Sequence, residues 1–341
     1  MQQHRGPNSS GDWIGTIKGW NVALSHQRLA ILDLTKSGEQ PMIHPDTGSI
    51  LVFNGEIYNF IELKAELDES GVIFFGNSDT EVLLQALEFW GVKKTLSKLN
   101  GMWAFSWVDV KQDMVYLSRD RSAEKPLYLA VTDQEVYFSS ELKTLLTLLD
   151  KRQYLNYQAI YEFLEYGLLD IETHTMFKGI EQVESGSILS FKLTSSNIKK
   201  DHDKYWECPV VEESSMTLPK FVDKVRNQLY KSVNMRLRSD VPVGILLSGG
   251  LDSSSIAAIV KETGVENITL ISLVSDDSRF DESLFIDSVA EHLGCSVTKI
   301  KLPNSPHELF DHLENATWFM DAPLGSFSNV AHFLLMKAAN K

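Results

Sequence analysis

The rhythm of apolar and polar positions along this chain changes near residue 218. Before it, short runs rich in aromatic and branched residues recur at 22–34, 50–53, 102–108, 114–118, 127–130 and 135–138. Turn residues punctuate them, and they predict strands. Helical spacing breaks in at 60–69 and 80–89, the second opening on Asp79 and Thr80 as cap residues. Residues 188–193 read as the last strand of this half. Many strands with few helices predict a layered α+β domain over residues 1–193. Residues 194–217 lose the pattern. Ser195-Ser196-Asn197, a charged cluster through Lys204, and Glu212-Glu213-Ser214-Ser215 read there as a linker. From Leu218 helices and strands alternate, with strands expected at 244–247, 269–274 and 297–302 and helices at 253–262 and 282–293. That order predicts an α/β, doubly wound parallel sheet over residues 218–341.

With 341 residues, 43% hydrophobic and 23% charged, the chain can bury two cores. Acidic residues outnumber basic ones by 46 to 32, a formal charge of −14. Such a balance argues against nucleic acid and anionic membrane surfaces, which attract clustered Lys and Arg. A phosphate can still be held locally by unpaired N–H groups at a helix start. The two cysteines, Cys208 and Cys295, provide neither a disulfide framework nor a Cys-based zinc site and fit a reducing, cytoplasmic setting. The opening residues are polar, and no apolar run reaches the roughly 18–20 residues of a membrane span.

The most specific motif is Ser248-Gly249-Gly250-Leu251-Asp252-Ser253-Ser254, placed between an apolar run and a helical pattern. A glycine pair lets the backbone approach a polyphosphate, and the following helix start aims N–H groups at its charge. Ser248, Ser253 and Ser254 add hydroxyl donors. The Asp252 carboxylate repels phosphate but suits a magnesium ion bridging to it. Read alone, the segment is also compatible with a plain Gly-Gly turn before a serine-capped helix. It is not a Walker A loop, because no Gly-Lys-Ser/Thr follows.

This loop resembles the signature of the ATP-pyrophosphatase family, whose members form acyl-adenylates and release pyrophosphate. The lead-in Arg238-Ser239-Asp240-Val241-Pro242-Val243-Gly244 is similar to that of asparagine synthetases, as are Phe280-Asp281-Glu282-Ser283 and Glu291-His292-Leu293-Gly294. The resemblance implies an ATP site at Leu247, Ser248, Gly249, Gly250, Asp252 and Ser253, with Asp252 on Mg2+. Leu247 and one of Leu273 and Val274 are then expected against the adenosine.

Four segments of the front half resemble the glutaminase domain of the same enzymes, in the same order. They are His4-Arg5-Gly6-Pro7, Ser25-His26-Gln27-Arg28-Leu29-Ala30-Ile31, Phe53-Asn54-Gly55-Glu56-Ile57-Tyr58-Asn59 and Asn77-Ser78-Asp79-Thr80-Glu81. Their chemistry suits glutamine. Arg28 can grip the α-carboxylate through a two-pronged bond. Asp79 and Glu56 can accept from the α-ammonium and amide, while the Asn54 side chain and Gly55 N–H can form an oxyanion hole. Taken singly, Asn54-Gly55 is a hairpin-turn pair, Arg28 a surface charge and Asp79 a helix cap. Arg119-Asp120-Arg121, Lys125-Pro126-Leu127-Tyr128 and Ser140-Glu141-Leu142-Lys143 extend the match; Asn8 and Ala123 depart from the family's usual Asp and Gly.

Resemblance to glutamine-dependent asparagine synthetases implies an N-terminal nucleophile hydrolase-like sandwich followed by the nucleotide-binding sheet. It also implies ATP, glutamine and aspartate as substrates, with a homodimer among the assemblies it allows. The family's nucleophile is an N-terminal cysteine upstream of the His4–Pro7 segment, and neither Cys208 nor Cys295 is placed to replace it. A second phosphate loop is expected beyond Lys341. The chain thus reads as truncated at both ends, its glutaminase half inactive as given. Two alternatives stay open: an amidotransferase acting on another carboxylate, of a surface polysaccharide or secondary metabolite, and a glutaminase-dead binding protein.

Overall fold

The computed structural model describes residues 2–132, 134–149, 153–169, 173–211, 215–265 and 268–340. The chain divides into two compact units, Met1–Val211 and Glu212–Lys341.

The first unit opens with a hairpin of β1 (Ser9–Ile17) and β2 (Trp20–Arg28), followed by β3 (Met42–Ile43) and β4 (Ile50–Ile57). Three helices follow, α1 (Phe60–Glu69), α2 (Asp79–Trp90) and α3 (Val92–Lys98). Next come β5 (Gly101–Asp109), β6 (Met114–Arg119), β7 (Tyr128–Val131) and β8 (Val136–Ser139), then α4 (Leu142–Leu148) and α5 (Tyr157–Tyr166). The unit closes with β9 (Glu181–Gln182), β10 (Ser187–Leu193) and β11 (Ile198–Lys204). The large sheet is antiparallel in the order β11-β10-β6-β5-β4-β3, and a small sheet runs β8-β7-β9.

The pleat of β5 explains the layering. Trp103, Phe105 and Trp107 face one side, where they pack with Leu51 and Phe53 against Leu67, Leu83, Leu87 and Leu96 of α1–α3. Ala104, between them, faces the other side and meets Leu127, Leu129 and Val183 together with Leu117 and Leu189. The outer face of the small sheet, at Ala130, is covered by Leu142 and Leu145 of α4. The order helix, sheet, sheet, helix is the layered α+β sandwich expected.

The second unit comprises α6 (Leu218–Arg236), β12 (Gly244–Leu246), α7 (Leu251–Glu262), β13 (Thr269–Val274), α8 (Ser283–Leu293), β14 (Val297–Lys301), α9 (Pro306–Met320) and α10 (Phe327–Ala339). Its three strands are parallel in the order β12-β13-β14. Ile245, Leu247 and Leu270 pack with Val233, Ala257, Val260, Ile286 and Ala290 of α6–α8. Leu273 packs in a separate cluster with Ala316, Val330 and Leu334 of α9 and α10. Helices therefore cover both faces, as the doubly wound reading requires.

Several elements differ from the sequence expectation. The strand expected over 22–34 is β2, which ends at Arg28 where the chain turns into a polar loop; β1 before it was not anticipated. The strand expected at 50–53 continues to Ile57, so Asn54 and Gly55 lie opposite Ala104 and Trp103 within a ladder rather than at a turn. The last strand of the unit is β11, inside the stretch expected to be linker. Its residues, Ile198 through Lys204, are nearly all charged or polar because it is an edge strand with both faces largely wet. Glu212, Glu213 and Ser214 of the expected linker lie outside the described residues. The cap of α2 is Ser78, not Asp79: its hydroxyl accepts from the Glu81 N–H, and Glu81 reaches back to the N–H groups of Phe75 and Gly76 at 2.7 Å each. Helix α7 begins at Leu251, two residues before the expected start.

Candidate functional site

Strand β4 carries the centre of the front site. Backbone N–H groups alternate across a strand, and on β4 those of Phe53 and Ile57 point away from β5. Strand β3 is only two residues long and pairs no further than Leu51, so a side chain must satisfy each of these donors. The Phe53 N–H donates to Gln40 Oε1 at 2.6 Å, and the Ile57 N–H donates to Asp79 Oδ2 at 2.9 Å. Between them the same alternation puts the Gly55 N–H on this open edge. A Cβ at Gly55 would lie 2.1 Å from the Met102 carbonyl oxygen and 2.7 Å from the Phe53 ring, so close packing on β5 admits no side chain there. Next to it, Asn54 Nδ2 donates to Ser140 Oγ at 3.4 Å.

The residues after Ser140 bring the His4–Pro7 segment to this region. Glu141 is buried and meets His4 Nε2 at 2.7 Å, Lys143 Nζ at 3.1 Å and Arg5 Nη1 at 3.5 Å. Gly6 lies against the backbone of β2, where a Cβ would be 2.3 Å from the Gln27 carbonyl carbon. Asn8 Oδ1 accepts from the Ala30 N–H at 3.0 Å, so asparagine supplies the acceptor that the family's aspartate would. Ala123 adopts φ +56°, a conformation that costs a residue with a Cβ about 1 kcal/mol and explains why glycine is usual there. The loop around it is held by Asp120, which accepts from the N–H groups of Ser122, Glu124 and Lys125 at 3.0 Å each, and by Arg119, which donates to the carbonyls of Ala123 and Lys125.

Arg28 is buried. Nη1 donates to the Thr35 carbonyl at 2.8 Å, while Nη2 donates to the carbonyls of Leu32, at 3.3 Å, and Asp33. The terminal nitrogens of the guanidinium thus fold the 32–35 loop around themselves. Gly38 closes over the same group, since a Cβ there would lie 2.0 Å from Arg28 Nη2. A two-pronged grip on a carboxylate requires Arg28 to exchange some of these carbonyls for the ligand. Asp33 links this loop to the 77–79 segment. It accepts from the Asn77 N–H at 3.0 Å, from Ser37 Oγ at 2.8 Å, and from the Thr35 N–H and hydroxyl. Burial favours its neutral form, but these donors outweigh burial and hold its carboxyl well below the usual range.

Asp79 behaves in the opposite way. Burial, reinforced by the nearby Glu56 charge, pushes it up to about 7 against the pull of the Ile57 N–H. Burial likewise lowers the Lys125 ammonium, with the Glu56 carboxylate opposing the shift. Arg28, Asn54, Gly55, Glu56 and Asp79 therefore belong to one connected framework.

In the second unit, β12 runs through the buried Leu247 into Ser248. Gly249 takes φ +74° and sits where a Cβ would lie 2.6 Å from Phe285 Cβ; both facts require glycine. Gly250 is the N-cap of α7 and has no side-chain cap, which leaves the first N–H groups of that helix for a ligand. Ser248 Oγ and Ser253 Oγ are 3.0 Å apart, and the Gly250 N–H donates to Ser248 Oγ at 3.3 Å. Ser254 Oγ is buried and has no hydrogen-bond partner among the described residues. The Leu247 carbonyl is fixed by Ser272 Oγ at 2.6 Å, while Leu273 and Val274 end the neighbouring strand. Asp252 is exposed in the first turn of α7. Among the described residues no three His, Cys, Asp or Glu side chains converge as a metal site. A single carboxylate is the donor set of a magnesium ion held mainly by phosphate oxygens, so the loop fits nucleotide and Mg2+ together.

Residues 1–206 match the glutamine amidotransferase domain family, and residues 224–341 match the asparagine synthase family. A putative glutamine-hydrolysing asparagine synthetase of Methanocaldococcus jannaschii is 32% identical, covering 99% of this chain and 67% of that protein. The chain belongs to the glutamine-hydrolysing asparagine synthetase family. Asparagine synthetase 1 of Bacillus subtilis is 33% identical over the whole chain and 52% of its own length, and amidase chry2 of Gibberella zeae is 29% identical over 99% and 51%. The chain thus spans two thirds of the first relative and about half of the other two. Among solved structures, the Bacillus subtilis glutamine phosphoribosylpyrophosphate amidotransferase aligns over 88% of this chain and 76% of its own, with a TM-score of 0.42 and 17% identity, a likeness too loose to carry an argument.

Within this asparagine synthetase family member, sequence reasoning did not single out Asp33, Gln40 or His26 as site residues. Asp33 fell inside an expected strand. Gln40 acts 13 residues away from its position, and no local pattern marks such a contact. Of the two cysteines, Cys208 is exposed and Cys295 is half-buried against the core of the second unit. No helix among the described residues is long and apolar enough to cross a membrane.

Proposed function

We propose that this protein amidates aspartate at the expense of ATP, taking nitrogen from glutamine and releasing asparagine, glutamate, AMP and pyrophosphate. One observation carries the reading. A single chain holds both an open strand edge flanked by a buried carboxylate, suited to an amino-acid amide, and a serine–glycine loop at the carboxyl end of a parallel strand, suited to a polyphosphate.

In the front unit, Arg28 and Asp79 take the two charged ends of the glutamine α-carbon. The Gly55 N–H and Asn54 amide stabilise the oxyanion as a nucleophile attacks the side-chain amide. In the second unit, Ser248, Ser253 and the N–H groups at the head of α7 hold the phosphates, while Leu247 with Leu273 or Val274 flanks the adenosine. Asp252 would hold a magnesium ion, which would supply positive charge to the leaving pyrophosphate. The side-chain carboxylate of aspartate displaces pyrophosphate to form an acyl-adenylate, and ammonia then displaces AMP. Excluding water matters to both steps, because water hydrolyses the adenylate and protonates ammonia.

A second reading, amidation of another carboxylic acid, rests on the likeness to proteins described as amidases. The acid itself separates the two. With ammonium replacing glutamine, the full-length protein is expected to release pyrophosphate from ATP in the presence of aspartate. Release supported by other carboxylic acids and never by aspartate would move the assignment to the second reading.

A further inference from the structure

The oxyanion-hole assignment makes one peptide critical, that between Phe53 and Asn54, because it precedes the Gly55 N–H by a single residue. Antiparallel pairing of β3 with β4 sets Met42 opposite Leu51 and, continued, would set Gln40 opposite Phe53. The ladder stops short of that position. The Gln40 side chain takes over the pairing. Its Oε1 accepts from the Phe53 N–H at 2.6 Å, and its Nε2 donates to the Phe53 carbonyl at 3.1 Å. One amide thus makes the two bonds that a strand partner would make. The same Nε2 lies 3.4 Å from Thr80 Oγ1, in the helix turn that carries Asp79. His26 Nε2, from β2, meets the Phe53 carbonyl at 3.1 Å as a second donor.

We infer that Gln40 is a positioning residue for glutamine hydrolysis, a side-chain strand partner that fixes the Phe53 peptide and so aims the Gly55 N–H, with His26 as its auxiliary. The geometry favours this over a purely structural bond. Phe53 is already paired through β5 on its other neighbours and packed in the core, so β4 does not need Gln40 to remain a strand. What the clamp adds is control of the edge that faces away from β5, the edge on which Gly55 donates. An N–H misaligned by a fraction of an ångström loses oxyanion stabilisation while leaving Arg28 and Asp79 to bind the substrate. The signature is a loss in kcat with little change in KM.

This inference rests on the glutaminase reading, and the test separates the two. In the full-length protein, Gln40→Glu keeps the size of the side chain and an acceptor for the Phe53 N–H but replaces the donor with an oxygen facing the Phe53 carbonyl. Glutamine hydrolysis by Gln40→Glu is expected to fall in kcat by ~10-fold or more, with KM within about threefold of native. His26→Leu is expected to reduce kcat by a smaller factor in the same pattern. The two changes together should lose less than the product of their separate effects, because both act on one carbonyl. If Gln40→Glu does not fold, His26→Leu alone decides, its kcat loss at constant KM supporting the positioning role. Unchanged kcat in the folded variants, or a rise in KM at constant kcat, overturns it. Absence of glutamine hydrolysis in the native full-length protein would instead overturn the glutaminase reading itself.

Discussion

Replacing Asp252 with asparagine in the full-length protein will reduce aspartate-dependent exchange of labelled pyrophosphate into ATP by ~100-fold or more, the scale of losing a metal clamp on a transferring phosphoryl group. The change removes one charge and leaves the shape of the loop nearly intact. The competing account makes Asp252 a helix cap. The structure weakens that account, because Gly250 is the N-cap of α7 and Asp252 lies two residues inside the helix. There its carboxylate gains about 0.3–1 kcal/mol from the helix dipole, which asparagine would lose with little consequence for the fold. Glutamine hydrolysis, carried by the other unit, should be nearly unaffected. Normal exchange in a folded Asp252→Asn protein would end the magnesium assignment.

Glutamine hydrolysis should also lose efficiency as the pH falls through about 7, because Asp79 must be ionised to accept from the substrate ammonium. Burial holds its carboxyl at about 7, with the Glu56 charge adding to the shift. The pH dependence of kcat/KM reports groups of the free enzyme, so its acidic limb is where Asp79 should appear. Asp79→Asn removes the charge but keeps an oxygen for the Ile57 N–H, and kcat/KM should fall ~100-fold, as when a charged bond to substrate is lost. Stability should move the other way. A carboxyl raised above its unfolded value gives stability that is complete below that value, near 3.8, and is lost as the pH rises through about 7. Asp79→Asn should therefore unfold at a higher temperature than native at about pH 8, with the difference shrinking on acidification. A flat native profile across about pH 6–8, or full activity in Asp79→Asn, would remove Asp79 from substrate binding.

How much of this was legible before the structure depends on how far apart the cooperating residues lie in sequence. The proposed nucleotide loop was legible as chemistry because residues 248–254 are contiguous and its neighbours, an apolar run and a helical pattern, give its location. The front site gathers residues from β2, β4 and α2 with a loop that follows β2. Only resemblance could assemble Arg28, Asn54, Gly55, Glu56 and Asp79 beforehand. Local rules misled where tertiary pairing overrode them. Asn54-Gly55 has the composition of a hairpin turn, yet both residues are held in β4 by pairing with Ala104 and Trp103. Strand β11 has no apolar face to read, since its partner on β10 rather than a core fixes it. Asp33 and Gln40 remained invisible because their work is done through backbone groups of residues 77 and 53, whose positions depend on the fold.

The most direct test of the central claim follows one nitrogen atom. The full-length protein, given ATP, magnesium, aspartate and glutamine labelled with 15N in its side-chain amide, is predicted to yield asparagine with 15N in its side-chain amide, with one AMP and one pyrophosphate for each molecule formed. Label appearing in the amide of another acid and never in asparagine, or ADP and phosphate replacing AMP and pyrophosphate, would contradict it.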